Sequence, residues 1–454
     1  MVRFSPFPLL LVLLSLLCVS NGSATRDGSE QWGYVRVRPK AHMFWWLYRS
    51  PKRVENGAIP WPTVLWLQGG PGASGVGYGN FGEIGPLDTN LKPRESTWLQ
   101  KADLLFVDNP VGTGYSFVED TKLLVKTDEE AASDLTALLK KLYNKNDKLQ
   151  KSPLFIAAES YGGKFAATAG VSIVKAIKAG KLKLKFGGVA LGNSWISPED
   201  FVFSWGPLLL DVSRLDKNGE EQSNNLARKI QHQLEEGLYL EAESSWNELE
   251  GWISSSSNFV DFYNFLQDDS PFGSTMAIGT SKMSASEHYS RYLSSKASFN
   301  GSLSDLMNTV IKEKLKIIPK NVSWGGQSDD VFDALRPAFM KPSIKEVDEL
   351  LSFGVNVTIY NGQLDLICAT KGAEAWVQKL KWKGLKNFNS LKREPLYCDG
   401  DETGATKAFV KSHKNLHFYW ILGAGHFVSI LFYPLLCVLL IAHNAIIINN
   451  LPLA

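Results

Sequence analysis

Short apolar runs of strand length recur along the chain and are separated by helical patterns. Seven of these runs are rich in β-branched and aromatic residues: 34–39, 63–68, 103–108, 153–158, 187–193, 355–362 and 416–423. Runs that are apolar on both faces are typical of strands buried in a parallel sheet. An amphipathic helical pattern precedes the run at 153–158, and another follows it. This βαβ alternation predicts an α/β architecture with a mostly parallel central sheet.

The long interval between the fifth and sixth runs has a different character. Residues 216–255 follow an amphipathic helical pattern, and the stretch after them is rich in Ser and Gly. We therefore predict a helical cap inserted into one core, with a second independent domain as the alternative. The predicted division is a leader at 1–24, a core in two parts at 25–200 and 341–426, a cap at 201–340 and an apolar tail at 427–454.

The first residues are predicted to be a targeting signal rather than part of the fold. Arg3 precedes an apolar stretch of signal-peptide length, and small residues follow at positions 20–24. An uncleaved membrane anchor is less favoured, because the stretch is short for a span and contains Pro6 and Pro8. The prediction is a protein that enters the secretory pathway.

Composition and charge exclude some classes of partner. The chain has 454 residues, of which 44% are hydrophobic and 21% charged, and its formal net charge is +2. This balance is ordinary for a globular protein and gives no reason to expect nucleic acid or an anionic membrane surface as a partner. In a secretory protein the sequons at Asn300, Asn321 and Asn356 are candidate glycosylation sites.

The stretch AAESYGGKF places Ser160 between a strand-like run and a helical pattern. A strand followed by small-x-Ser-x-small and then a helix is the nucleophile elbow of α/β-hydrolases. Small residues, here Ala158 and Gly162, permit the tight turn that this elbow needs. The alternative is that Ser160 only caps the helix, which is a commoner use of serine.

A serine nucleophile needs a base to take its proton and an acid to orient that base. Asp365 follows the run at 355–362 and His426 follows the run at 416–423, in the Ser-Asp-His order of α/β-hydrolases. Taken singly, Asp365 is more simply a loop carboxylate and His426 a core histidine. Together, in this order, they favour a catalytic triad of Ser160, Asp365 and His426.

Acyl transfer also needs hydrogen-bond donors for the developing oxyanion. In this architecture one N–H belongs to the residue after the nucleophile, here Tyr161, and another to an earlier Gly-rich loop, here WLQGGPGASG with Gly70 as the candidate. Gly77, Gly79 and Gly82 match G-x-G-x-x-G, but they lie too far beyond the strand for a dinucleotide site. We predict no cofactor and no metal.

With these motifs the sequence resembles the serine carboxypeptidases, and within them the retinoid-inducible branch. The resemblance runs from about Trp32 to His426 and rests on the blocks WLQGGPGASG, FGEIGPL, LLFVDNPVGTGYSF, ESYGGK, LGNSWISP, SWGG, YNGQLDLI and GAGH. It implies an α/β-hydrolase fold with a helical cap. It also implies a secreted or lysosomal glycoprotein that hydrolyses the C-terminal peptide bond of peptides or proteins, at acid pH.

The resemblance further implies a site for the terminal carboxylate of the substrate. By motif position this site comprises Trp66, Gln68, Gly69, Glu83 and Glu159. The carboxylates of Glu83 and Glu159 would repel the substrate carboxylate unless they share a proton. Like charges raise one another's pKa, which favours such sharing. A protonated Glu donates a hydrogen bond, so we expect binding to weaken as pH rises. The alternative for Glu159 is a solvated loop carboxylate.

Three departures from the family pattern leave other functions open. Gln68 stands where most members have Asn, and Ala73 stands where a Cys is usual. After GAGH the chain continues with an apolar tail, whose residues 427–448 could span a bilayer, although Pro434 and polar residues interrupt them and disfavour a membrane anchor. The alternatives are a catalytically silent, partner-binding glycoprotein and an acyltransferase or esterase with the same triad.

Overall fold

The computed structural model describes residues 22–54, 60–269, 289, 303–397 and 404–428. Its strands are β1 (Gly22–Ala24), β2 (Glu30–Arg38), β3 (Ala41–Tyr48), β4 (Thr63–Leu67), β5 (Asp103–Val107), β6 (Phe117–Val118), β7 (Leu154–Glu159), β8 (Phe186–Gly192), β9 (Asn356–Gly362), β10 (Glu394–Leu396), β11 (Ala408–His413) and β12 (Leu416–Ile421). All of them belong to one mixed sheet.

The described α-helices are α1 (Asp128–Tyr143), α2 (Asp147–Lys151), α3 (Gly162–Lys178), α4 (Pro198–Asp211), α5 (Lys217–Glu235), α6 (Tyr239–Ser256), α7 (Leu303–Leu306), α8 (Lys312–Leu315), α9 (Asp329–Phe339), α10 (Ile344–Ser352), α11 (Thr370–Gln378) and α12 (Leu385–Ser390). Two π-helices, Gly75–Ile84 and Met307–Ile311, and two short 3₁₀ turns, Trp98–Gln100 and Thr121–Leu123, complete the described elements.

The strand order is β1-β2-β3-β5-β4-β7-β8-β9-β12-β11-β10, with β6 beside β3. From β5 to β12 neighbouring strands run parallel. The strands on either side of this centre pair antiparallel. The predicted α/β fold with a parallel centre is confirmed, and hairpins at both margins make the whole sheet mixed.

The helices beside the nucleophile form for local reasons. Thr127 caps α1 by accepting a hydrogen bond from the Glu130 N–H. Acidic residues occupy the first turn of α1 and lysines the last, which suits the helix dipole. The apolar face of α3 is buried against the sheet and α1. This packing fixes the start of α3, which follows directly after Ser160.

The predicted cap region, 201–340, lies between β8 and β9 and contains α5, α6 and α9 in full. Its aromatic side chains pack together and against the core: Trp246 contacts Trp195, Trp205 and Phe339. The division into domains stays a prediction, since these contacts join the cap and the core in one hydrophobic cluster.

Several sequence predictions fall at the edges of the described ranges. Residues 22–24, inside the predicted leader, form an edge strand against β2, while residues 1–21 and 429–454 lie outside the description. Asn300 also lies outside it, Asn321 is exposed, and Asn356 is half-buried at the start of β9. Within the described residues, no helix is both long and apolar enough to cross a bilayer.

Candidate active site

Ser160 lies in the turn between β7 and α3, at the carboxyl edge of the parallel strands. Its backbone adopts a φ of 58°, the left-handed region that L-residues rarely occupy. Its N–H donates to the Gly192 carbonyl at 3.1 Å, and its carbonyl accepts from Trp195 N at 3.0 Å. The turn holds the half-buried serine clear of the sheet, as a nucleophile elbow requires.

Two glycines make room for this turn. A Cβ on Gly69 would lie 2.6 Å from the Ser160 Cβ, and a Cβ on Gly162 would overlap the Leu67 carbonyl oxygen. The backbone of the elbow therefore touches the loop after β4 directly. Gly69, predicted as part of the carboxylate site, faces Ser160 at this contact.

Asp365 and His426 are completely buried and bonded to each other. His426 Nδ1 lies 2.9 Å from Asp365 Oδ2. Asp365 follows β9 and His426 follows β12, which are neighbouring parallel strands. The other oxygen of Asp365, Oδ1, accepts from the Cys368 N–H at 3.2 Å. The structure thus brings together two of the three predicted catalytic side chains by a direct hydrogen bond.

The loop that carries His426 is anchored by the main chain of the cap. The His426 N–H donates to the Tyr263 carbonyl at 2.8 Å, and the Tyr263 ring meets the imidazole edge-on at 5.2 Å. Among the described residues, His426 Nε2 has no hydrogen-bond partner, so it is not bonded to Ser160. Such bonds are often long in unliganded enzymes and shorten when substrate binds.

Sequence reasoning missed Asn193, which directly orients Asp365. Asn193 follows β8, is completely buried and donates from Nδ2 to Asp365 Oδ2 at 2.6 Å. Its Oδ1 accepts from the Gly362 N–H at 3.3 Å. The sequence carried one signal for Asn193, because it is a polar residue directly after a buried strand. Ligand-binding residues collect at the carboxyl ends of parallel strands.

The predicted oxyanion donors lie next to Ser160. Gly70 and Tyr161 line the same pocket as the serine. Gly70 has a φ of 104°, and a Cβ there would lie 2.8 Å from Gln327 Oε1. The cap segment 326–328 holds this loop: Gln327 Nε2 donates to the Pro71 carbonyl at 2.7 Å, and two further main-chain bonds flank it.

The predicted carboxylate-binding side chains form one buried cluster beside the elbow. Trp66 Nε1 donates to Gln68 Oε1 at 2.8 Å, and Gln68 Nε2 donates to Glu159 Oε1 at 3.2 Å. Glu83, from the π-helix Gly75–Ile84, is 1% exposed and interacts with Glu159. Gln68 Nε2 also lies 3.5 Å from the Tyr289 hydroxyl. Glu159 is 3% exposed, so it is not the solvated loop carboxylate of the alternative interpretation.

Burial raises the pKa of Glu159 well above its usual range, and the neighbouring Glu83 carboxyl raises it further through charge repulsion and a hydrogen bond. The charge of Asp365 also raises the pKa of Glu159, whereas the hydrogen bond from Gln68 lowers it. Glu159 therefore holds its proton beyond the pH at which an exposed glutamate ionises. A protonated Glu159 is a hydrogen-bond donor, which suits an anionic ligand.

An aromatic pocket is lined by Ser160, Gly70 and Tyr161 at the elbow, and Tyr289 connects it to Gln68 of the carboxylate-binding cluster. Its walls are mainly rings and apolar groups: Trp195, Trp246, Tyr263, Tyr289, Phe339, Ile367 and Cys368. Among the described residues, the buried Cys368 has no disulfide partner, and burial raises the pKa of its thiol well above the usual range. The thiol is therefore a neutral part of the wall rather than a nucleophile.

Asp365, Cys368 and His426 also offer donor atoms within 4.8 Å of one another. Two ligand atoms at about 2.0–2.2 Å from one tetrahedral ion would lie about 3.3–3.6 Å from each other. His426 Nδ1 and Asp365 Oδ2 are instead 2.9 Å apart, the length of a direct hydrogen bond. This pair fits a base and its orienting acid better than a metal centre.

The sequence and the fold both match known proteins. The family model described as serine carboxypeptidase matches residues 22–432. Serine carboxypeptidase-like 51 of Arabidopsis thaliana is 61% identical over 437 residues, covering 93% of this chain and 94% of the relative. Retinoid-inducible serine carboxypeptidase of Homo sapiens is 48% identical over 439 residues, covering 94% and 95%.

Among solved structures, Kex1(delta)p, a prohormone-processing carboxypeptidase from Saccharomyces cerevisiae, superposes with a TM-score of 0.72 at 23% identity. The alignment covers 92% of this chain and 90% of the yeast chain. At this identity the match concerns the fold. The α/β-hydrolase fold predicted from the sequence is therefore confirmed.

Proposed function

The chain belongs to the serine carboxypeptidase family, whose members are hydrolases, and we propose that Ser160, Asp365 and His426 are its catalytic triad. Ser160 Oγ attacks the carbonyl carbon of the last peptide bond while His426 Nε2 takes the hydroxyl proton. Asp365 keeps Nδ1 protonated and stabilises the imidazolium. The N–H groups of Gly70 and Tyr161 bind the oxyanion of the tetrahedral intermediate.

The second half of the reaction uses the same groups. His426 gives its proton to the leaving amine, and the C–N bond breaks to leave an acyl-Ser160. Water then attacks this ester with His426 as the base, which releases the shortened peptide and restores the serine. Asn193 supports both halves, because it donates a hydrogen bond to the same Asp365 oxygen that His426 Nδ1 contacts.

The exopeptidase assignment rests mainly on Glu159, which is buried beside Ser160 and accepts a hydrogen bond from Gln68. Burial and the neighbouring Glu83 raise the pKa of this carboxyl. We assign Trp66, Gln68, Gly69, Glu83 and Glu159 to the terminal carboxylate of the substrate. A protonated Glu159 donates a hydrogen bond to that carboxylate, and an ionised one repels it. The reaction is therefore expected to favour acid pH.

We assign the acyl side of the substrate to the aromatic pocket, because Ser160, Gly70 and Tyr161 line this pocket, whereas Gln68, Glu83 and Glu159 do not. Peptide and protein C-termini are the proposed substrates, and no nucleic acid or cofactor is part of the proposal. An acid-favouring hydrolase fits a secreted or lysosomal glycoprotein, in which Asn321 is the sequon with an exposed side chain among the described residues.

The test compares an N-blocked dipeptide with its C-terminal amide at mildly acidic pH, in wild type and Ser160→Ala. We expect cleavage of the free acid only, reduced about 10⁶-fold in the variant, as for other triad serines. Equal cleavage of acid and amide would favour the esterase or acyltransferase alternative. Absence of cleavage, together with no labelling by a serine-directed phosphonate, would favour the silent, partner-binding alternative.

A further inference from the structure

Lys164 is a fully buried charge that the proposed reaction does not use. It lies on α3 one turn after Ser160, with none of its side chain exposed. Its Nζ lies 3.5 Å from Asp128 Oδ2 and donates to the carbonyls of Ala338 at 2.5 Å and Phe339 at 3.3 Å. Burying an ammonium group is costly unless it is paired and hydrogen-bonded, and Lys164 has both kinds of partner.

The two carbonyls belong to the last residues of α9 (Asp329–Phe339), a cap helix. Carbonyls at a helix C-terminus lack partners within the helix and carry partial negative charge. The Ala338 carbonyl accepts from the Lys341 N–H at 3.1 Å, and the Lys164 ammonium adds a second donor and a positive charge that offsets the partial charge. The Phe339 carbonyl also accepts from Trp195 Nε1 at 3.2 Å. The end of α9 is therefore held by two donors from the core.

Phe339 is also part of the substrate pocket. Its ring lies nearly parallel to that of Tyr161, at an interplanar angle of 8° and a centroid distance of 5.8 Å, and it lines the pocket beside Ser160. The Tyr161 hydroxyl donates to Asp128 Oδ1 at 2.9 Å. Lys164, Asp128 and Tyr161 thus form a buried platform on which the Phe339 ring rests.

We propose that Lys164 is a positioning residue for substrate selection, which sets the aromatic wall of the acyl-side pocket by fixing the Phe339 main chain. The inference rests on the proposed function, because it requires that the substrate side chain before the scissile bond enters this pocket. Without the Nζ donor, the Ala338 carbonyl loses its bond to the core. The end of α9 and the Phe339 ring then shift, while Ser160, Asp365 and His426 keep their places.

The test uses Lys164→Met, Asp128→Asn/Lys164→Met and Phe339→Ala. The double variant removes the uncompensated Asp128 charge and so separates loss of folding from loss of positioning. Lys175→Met is the matched control, because Lys175 lies on the same helix and pairs at the surface with Glu349 at 2.8 Å. Active enzyme is counted by phosphonate labelling of Ser160, and kcat/KM is measured for N-blocked Leu-Xaa and Gly-Xaa dipeptides with the same C-terminal residue.

We expect both Lys164 variants to lower the Leu-to-Gly ratio of kcat/KM about tenfold, the equivalent of about 1.4 kcal/mol. Lys175→Met should leave the ratio unchanged. In a Phe339→Ala background, Lys164→Met should change the ratio no further, because the two residues act through one wall. An equal fall for both substrates, or additive effects of the two substitutions, would overturn the proposal. If wild type is not labelled at Ser160, the proposed function fails instead.

Discussion

Replacing Glu159 with Gln tests whether a shared proton at the carboxylate site sets the pH dependence. In wild type Glu159 accepts from Gln68 through Oε1, which leaves the rest of the carboxyl to interact with Glu83 and the substrate. A Gln at this position can keep the acceptor toward Gln68. Its amide N–H donates at every pH, whereas a glutamic acid donates only while it is protonated.

The magnitude follows from the hydrogen bond at stake. Because burial and Glu83 raise the pKa of Glu159, the donor is present in acid and is lost as pH rises through that raised pKa. A hydrogen bond to a charged partner contributes about 1.5–3 kcal/mol, which is about 10- to 150-fold in affinity. Wild-type kcat/KM should fall by about tenfold or more as pH rises through the raised pKa of Glu159. Over the same range, kcat/KM of Glu159→Gln should fall by less than about threefold, because its amide donor does not titrate.

The assay measures kcat/KM of an N-blocked dipeptide from about pH 4 to beyond the pH at which wild-type activity falls. It plots the ratio of Glu159→Gln to wild type, in which titrations common to both enzymes cancel. We expect this ratio to rise with pH. Glu250→Gln serves as the control, because Glu250 is buried on α6 and its pKa is raised to about 8, yet it lies outside the carboxylate cluster. A flat ratio for Glu159→Gln would refute the shared-proton argument.

Three further predictions concern the elbow, the triad and the pH dependence of stability. Gly162→Ala should abolish activity and lower the Tm, because the added Cβ would overlap a backbone carbonyl. The control is Gly251→Ala on α6, where an added Cβ meets no atom within 4 Å, so the variant should be neutral or more stable by up to about 1 kcal/mol. Asn193→Ala should lower kcat about tenfold with little change in KM, as expected for one lost hydrogen bond of about 1.5 kcal/mol; an unchanged kcat would contradict its role. Burial raises the pKa of Glu250 from 4.5 to about 8 and that of Asp108 from 3.8 to about 6. The folded state therefore holds protons that the unfolded state releases, and urea unfolding should show stability falling as pH rises from about 4.5 to 8, with a shallower fall in Glu250→Gln.

The elbow could be predicted from the sequence because its constraints are local. Ser160 and Gly162 lie within three residues of each other, and a tight turn between a strand and a helix demands small neighbours whatever surrounds it. The Ser-Asp-His order could likewise be recognised in the sequence, since each residue follows a strand-like run. The apolar run at 41–48 was not recognised as β3, although it is buried on both faces of the sheet.

The carboxylate cluster could be predicted only through the family resemblance. Trp66 and Gln68 come from β4 and its loop, Glu83 from a π-helix and Glu159 from the end of β7. No spacing rule brings these elements together, because their contact depends on strand order, and β4 pairs with β7 across a long crossover. Asn193 was missed for the same reason: its partner, Asp365, is 172 residues away along the chain.

The predicted cap, residues 201–340, contacts the loops that carry the proposed catalytic residues as well as lining the pocket. The segment 262–265 accepts hydrogen bonds from the main chain after Asp365, donates one to the Leu364 carbonyl and accepts another from His426 N. The segment 326–328 is bonded in the same way to the Gly-rich loop that holds Gly70. Apart from the bond donated by the Gln327 side chain, these are main-chain bonds, so their effect depends on backbone position rather than on side-chain identity. A backbone shift in either segment would move a catalytic loop, so changes in the cap are expected to lower kcat as well as to raise KM.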